Sequence, residues 1–214
     1  MISKSKMPDG FTLVELLVVV AVLSIMGVLL LTIFTSSLRG SNKSQILSSI
    51  KQNGQAVLEN MDKTIRSADR VVCVSSEDKT VVVVNKGNYT RYRFIKPTAA
   101  ANGYMQQENF ALPSSPPQGA DPNLYIRDFE STVCIDPSIS PQIITDTNPQ
   151  TGISIDCVGN PPDCPAKPIF KRDKLAGYKD QVTIQFSASP AVNAPAALRG
   201  QIDAVTFETT VQVR

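Results

Sequence analysis

From Phe11 to Phe34 the chain carries no proline, no basic residue and a single acid, Glu15. An apolar stretch of that length spans a bilayer as one helix, because about 20 residues at a 1.5 Å rise cover the hydrocarbon core. A polar leader, residues 1–10, precedes it and carries Lys4 and Lys6. A secretory signal places its cleavage site after an apolar core of only about 7–15 residues. Here the run is longer, no small-x-small site follows it, and the candidate processing point lies in front of it, between Gly10 and Phe11. A carboxylate inside a membrane segment costs about 2–3 kcal/mol near the helix centre and less near an end, so Glu15 implies a partner. Lys4 and Lys6, with no basic cluster after Phe34, put the leader in the cytoplasm and the bulk of the chain outside, as a single-pass inner-membrane protein.

The stretch GFTLVELLVVVAVLSIMG, Gly10 to Gly27, resembles the class III signal and N-terminal helix of type IV pilins and of the pseudopilins of type II secretion and competence systems. The resemblance covers roughly the first 35 residues and rests on a fixed order: basic leader, Gly, Phe, Thr-Leu-x-Glu, long apolar run. It implies that a prepilin peptidase cuts between Gly10 and Phe11 and methylates the new amine of Phe11. It also implies that Glu15, then fifth in the mature chain, pairs with the N-terminal amine of a neighbouring subunit during assembly. The other reading is a plain single-pass anchor whose Glu15 snorkels to the interface. Many filament-forming relatives carry a proline about twenty residues past the cut, where this chain has Leu31-Thr32-Ile33. LENMDKTIRSADRV, Leu58 to Val71, further resembles the helix end of minor pilins and J-type minor pseudopilins.

Beyond Phe34 the pattern turns amphipathic: Ile46, Leu47, Ile50, Val57, Leu58, Met61, Ile65 and Ala68 recur at spacings of three, four and seven. No proline occurs from Phe11 to Lys96, so one helix from about Thr12 to Ala68 is expected, with Gly27, Gly40 and Gly54 as its weak points. The stripe must be buried on something, since amphipathic helices gain most of their stability from tertiary packing. The expected division is a leader at 1–10, a transmembrane and assembly helix at 11–34, its amphipathic continuation at 35–68, and an extracytoplasmic β domain at 69–214.

After the helix the period changes to two. Arg70 to Val74, Thr80 to Val84, Tyr89 to Ile95, Gln181 to Ala188 and Ala204 to Val213 are rich in Val, Ile, Thr, Tyr and Phe and bounded by turn residues. Tyr92 and Phe94 alternate with Arg91 and Arg93, which predicts a sheet covered on one face and wet on the other. A helix laid on an antiparallel sheet gives an α+β domain. Prolines from Pro97 to Pro168 predict a loop-rich insertion over about 97–168, with short strands at Leu124 to Phe129, Ser131 to Ile135 and Gly152 to Val158.

The four cysteines, Cys73, Cys134, Cys157 and Cys164, all lie in the part expected outside the cytoplasm, where disulfides persist. Of the three connectivities, Cys157–Cys164 with Cys73–Cys134 is favoured, because the first closes a short loop stiffened by Pro161 and Pro162. A four-cysteine zinc site needs closely spaced pairs that are absent. The chain has no histidine, which removes Ser-His-Asp and Cys-His catalysis and histidine metal sites together. Asp146 to Gly152 departs from a calcium loop in its glycine position, and Cys157 stands where the bidentate acid belongs, so a turn is expected there. No cofactor is expected. The basic sets Arg91, Arg93, Lys96 and Lys171, Arg172, Lys174 read as solvated faces. Net charge is +2, and from Asp69 onward 14 Lys/Arg face 15 Asp/Glu, which disfavours a strong polyanion binder.

These readings converge on a structural subunit rather than an enzyme. Its expected partners are prepilin peptidase, other pilins or pseudopilins, the inner-membrane assembly platform and the membrane itself. An adhesive or nucleic-acid-binding tip component is the alternative, and a membrane-anchored extracytoplasmic enzyme is a weaker one.

Overall fold

The computed structural model describes residues 12–75, 77, 79–112, 119, 121–136, 140–159, 168–174 and 176–214, the side chains of 197 and 198 apart. Helix α1 runs Leu13–Ser67. Thr12 opens it, its Oγ1 accepting the Glu15 N–H at 3.3 Å, which satisfies one of the orphan amides of the first turn. At the other end Ala68 N–H turns back to the Ile65 carbonyl at 3.1 Å, and Arg66 grips Asp62 one turn earlier.

Two compact units divide the chain, residues 1–45 and 46–214. In the first, every described residue is exposed. In the second, Ile50, Val57, Met61 and Ile65 of α1 are buried in the main core. The amphipathic stripe therefore finds its partner within the chain. Gly54 lies on that stripe because a Cβ there would sit 2.3 Å from the ring of Phe207. Helix propensity is sacrificed for close approach to a ring that itself stacks on Phe186, centroids 5.3 Å apart.

The first sheet is an antiparallel meander, β1 Arg70–Ser75, β2 Thr80–Asn85, β3 Asn88–Ile95, β4 Tyr104–Ala111 and the short β5 Gln142–Ile143. The β2–β3 hairpin closes through Lys86 and Gly87, both at positive φ (48° and 81°), as a two-residue turn matched to strand twist requires. Asp69 Oδ2 accepts the Lys86 N–H at 2.7 Å and holds this turn against the end of α1. The second sheet is built on β8 Gln181–Pro190, which pairs with β6 Ile153–Asp156, β7 Phe170–Asp173 and β9 Val205–Gln212, all antiparallel. A short helix α3, Ala196–Arg199, precedes β9. The class is α+β, and the five strands read from the period-two pattern are present.

Three expectations are corrected. Leu124 to Phe129 and Ser131 to Ile135 are not strands: a helix α2, Pro122–Thr132, and its C-terminal turn occupy them. Asp121 caps that helix by accepting the Asn123 N–H at 2.8 Å, and Pro122 sits where a missing N–H costs nothing. The insertion at 97–168 accordingly holds β4, α2, β5 and β6, with β6 falling inside the expected Gly152 to Val158. The first sheet is also covered on both faces. Val81, Val83, Tyr92 and Phe94 point into the main core with α1, while Val82, Val84 and Tyr89 form a second cluster with Val133 and Cys134 just after α2.

Candidate functional site

Two regions carry the residues singled out in the sequence. The first is the start of α1. Gly10 and Phe11 lie outside the described residues, and Glu15 occupies the first helical turn. Around and beyond it Leu13, Leu16, Leu23, Leu30 and Phe34 are all exposed, Leu13 at 79 % and Phe34 at 61 %. Among the described residues α1 is the one helix long and apolar enough to cross a membrane. A surface apolar all round has no favourable contact with water and calls for lipid or other apolar helices.

The second region is the α2 side of the first sheet. Arg91, expected on a solvated face, is 4 % exposed and paired with Glu108, its cross-strand partner, also 4 % exposed. Its remaining Nη1 donates to the Val133 and Asp136 carbonyls, both at 2.9 Å, and Arg93 Nη2 reaches the Asp136 carbonyl at 2.8 Å. Burial of an arginine is tolerable only when its charge is paired and its donors are used, and both conditions hold here. The guanidinium also lies 5.3 Å from the centroid of the Phe110 ring. Glu130 of α2 accepts from Arg70 and from the Tyr89 hydroxyl, the latter at 2.8 Å. Burial alone would raise the Glu130 carboxyl; the bonds from Arg70 and Tyr89 and the Arg70 charge outweigh it and leave the group below its ordinary value. Burial first, and then the bond to Glu130, push the Tyr89 phenol up to about 12.

Cys73 is bonded to Cys134, their Cα atoms 6.3 Å apart. A β-bulge makes this bond reachable: the β1–β2 register slips between Val71 and Cys73, so Val71 faces the main core while Val72 and Cys73 pack on the α2 side. Strict alternation would have aimed Cys73 at α1. Cys157 is also disulfide-bonded, and its expected partner, Cys164, lies outside the described residues.

Elsewhere the candidate sites close on themselves. Asp146 to Gly152 is a chain of Asx turns: Asp146 Oδ1 accepts the Asn148 N–H at 3.0 Å and Asn148 Oδ1 the Gln150 N–H at 2.9 Å. A Cβ at Gly152 would meet Asp146 O at 2.6 Å, which accounts for the glycine. No group of three or more His, Cys, Asp or Glu able to hold a metal occurs among the described residues. Lys171 pairs with Asp173 at 3.0 Å and Arg172 with Asp180 at 2.5 Å, while Lys96 and Lys174 are exposed. The burial of Arg91 against Glu108 and the carbonyls after α2 departs from the solvated face expected for it. The signal available was Glu108, the one acid in β4, lying opposite an arginine in a strand otherwise rich in amides.

A helix long and apolar enough to cross a membrane, exposed in its first half and followed by antiparallel sheets, defines the class of an α+β protein with a long apolar N-terminal helix. Its residues 6–31 match the family model of the prokaryotic N-terminal methylation motif, the signature of type IV pilins and pseudopilins. Comparisons with curated proteins and with solved structures give no match.

Proposed function

We propose that this chain is a minor structural subunit of a type IV pilus or of a type II secretion-like pseudopilus, made as a membrane-inserted precursor. The carrying observation is the coincidence of the methylation motif at residues 6–31 with a helix whose apolar residues are exposed from Leu13 to Phe34. Such a helix serves as an anchor in lipid and, once extracted, as the apolar core of a polymer. Prepilin peptidase cuts between Gly10 and Phe11, and Phe11 becomes the methylated N-terminus. The absence of a side chain at Gly10 suits a site that needs close backbone approach. Glu15, at the start of the helix and near the new amine of a neighbour, supplies the countercharge that fixes one subunit on the next. The leader stays in the cytoplasm and residues 69–214 lie outside.

The second unit supports a structural role over a phosphate-binding one. Arg91 and Arg172, one cation from each basic set, are engaged by Glu108 and Asp180. Processing provides the test. Co-expressed with an active prepilin peptidase, the chain loses residues 1–10 and gains one methyl group on Phe11 by mass spectrometry, and Gly10→Val blocks both. An intact leader in the presence of active peptidase contradicts the proposal.

A further inference from the structure

Helix α2 contributes no fully buried residue to the fold; Tyr125, Ile126, Phe129 and Glu130 are only partly covered. Phe129 completes a three-ring cluster, its centroid 5.3 Å from Tyr89 and 6.2 Å from Phe110. Further links are the Arg70 and Tyr89 bonds to Glu130, the Arg91 and Arg93 bonds to the carbonyls after the helix, the packing of Val133 and Cys134 against Val82, Val84 and Tyr89, and the covalent bond from Cys134 to Cys73. Of these only the last is covalent. Arg91 keeps Glu108 whether or not α2 is in place, because both belong to paired strands, so departure of α2 leaves no unpaired buried charge. The main core lies on the opposite face of the sheet and includes no residue of α2.

We propose that α2 and the turn to Asp136 form a lid on the first sheet whose closure is set by the redox state of Cys73 and Cys134. With the two thiols reduced, the lid opens locally and uncovers Val82, Val84, Tyr89 and Phe110 while the main core stays folded. Closure proceeds by thiol–disulfide exchange with a disulfide donor. The thiolate of one cysteine attacks the donor and displaces one of its sulfurs as a thiol. The second cysteine then displaces the donor as a dithiol, so two electrons and, by way of solvent, the two cysteine protons end on the donor. If the second unit is exported as proposed above, the lid closes only after translocation, and an exposed apolar face marks the subunit that has not yet been oxidised.

Hydrogen exchange on the full chain in detergent micelles tests the lid independently of processing or assembly. The variant Cys73→Ser/Cys134→Ser is compared with the oxidised wild type, the Cys157 bond being left in place in both. The expected result is at least about tenfold faster exchange for amides of 123–136, with amides of 57–65 and 182–188 unchanged within about twofold, as expected for sub-global opening. Unchanged exchange at 123–136 overturns the lid, because side-chain contacts then suffice to hold it. Equal acceleration across both sets overturns it as well, because the bond then supports the whole fold rather than a local closure.

Discussion

Two stretches of α1 meet opposite conditions. Between Leu13 and Phe34 its apolar residues point in every direction and stay exposed, whereas Ile50, Val57, Met61 and Ile65 repeat at helical spacing and are at most 2 % exposed. The second stretch is a stripe, and a stripe can be satisfied by two sheets from the same chain. The first has no polar face to give to water, so no folding of this chain alone can satisfy it. Two carboxylates, Glu108 buried and Glu15 exposed, repeat the contrast. Glu108 has its arginine on the next strand, while Glu15, among the described residues, makes no ion pair. What the second unit completes internally, the first, on the function proposed above, leaves for another molecule.

The sharpest way to break this comparison is to disrupt what is internally complete. Arg91→Leu strands Glu108 in the sheet and should cost about 3–5 kcal/mol, read from chemical denaturation of the full chain in micelles. Ile65→Ala removes a fully buried stripe residue and should cost about 2–5 kcal/mol, while Leu23→Ala, in the exposed stretch, should shift the same transition by less than about 0.5 kcal/mol. Equal costs for the two would erase the distinction between the halves of the helix. Asp121→Ala removes the α2 cap and should cost about 1 kcal/mol, confined to the α2 side.

The smallest effect is a pH dependence. Burial pushes the Tyr92 phenol up to about 12, and Tyr89 moves to about the same value. A phenol whose folded-state value is raised stabilises the fold fully below its unfolded value of about 10 and loses that contribution as pH rises through about 12. Stability should therefore be level up to about pH 9 and fall between about 10 and 12, and Tyr92→Phe should make the fall shallower. A fall of the same depth in Tyr92→Phe removes Tyr92 as its cause.

The sequence exposed most of this arrangement where a single period governs a long segment. The α1 stripe and the alternation of Tyr92 and Phe94 with Arg91 and Arg93 marked the core-facing sides correctly. The face opposite was misread because its cover is short and non-local. In α2 Tyr125 and Ile126 stand four and three residues before Phe129, a helical spacing, but the repeat lasts barely one turn, and the clearer helix signal lies in Asp121 and Pro122 at its start. Strand β4 was missed because Gln106, Gln107, Glu108 and Asn109 have little intrinsic preference for a strand; pairing with β3 holds them there. The bulge at Val71–Cys73 leaves no mark in the residue pattern, and its effect shows only in which sheet face Cys73 reaches. Glu15 stood out because an acid in an apolar run is costly wherever the run is buried.

The central claim is that the first half of α1 is completed by other subunits through Glu15. Crosslinking to neighbouring pilins or pseudopilins in cells, comparing wild type with Glu15→Leu and Glu15→Asp, tests it most directly. The replacement by leucine makes the segment more apolar, so membrane insertion and leader cleavage should persist. Incorporation should drop by at least about tenfold, since a partner amine left without its countercharge in an apolar bundle costs more than about 1.4 kcal/mol, and Glu15→Asp should retain more of it. Wild-type crosslinking by Glu15→Leu would contradict the account and leave Glu15 as a residue of a plain membrane anchor.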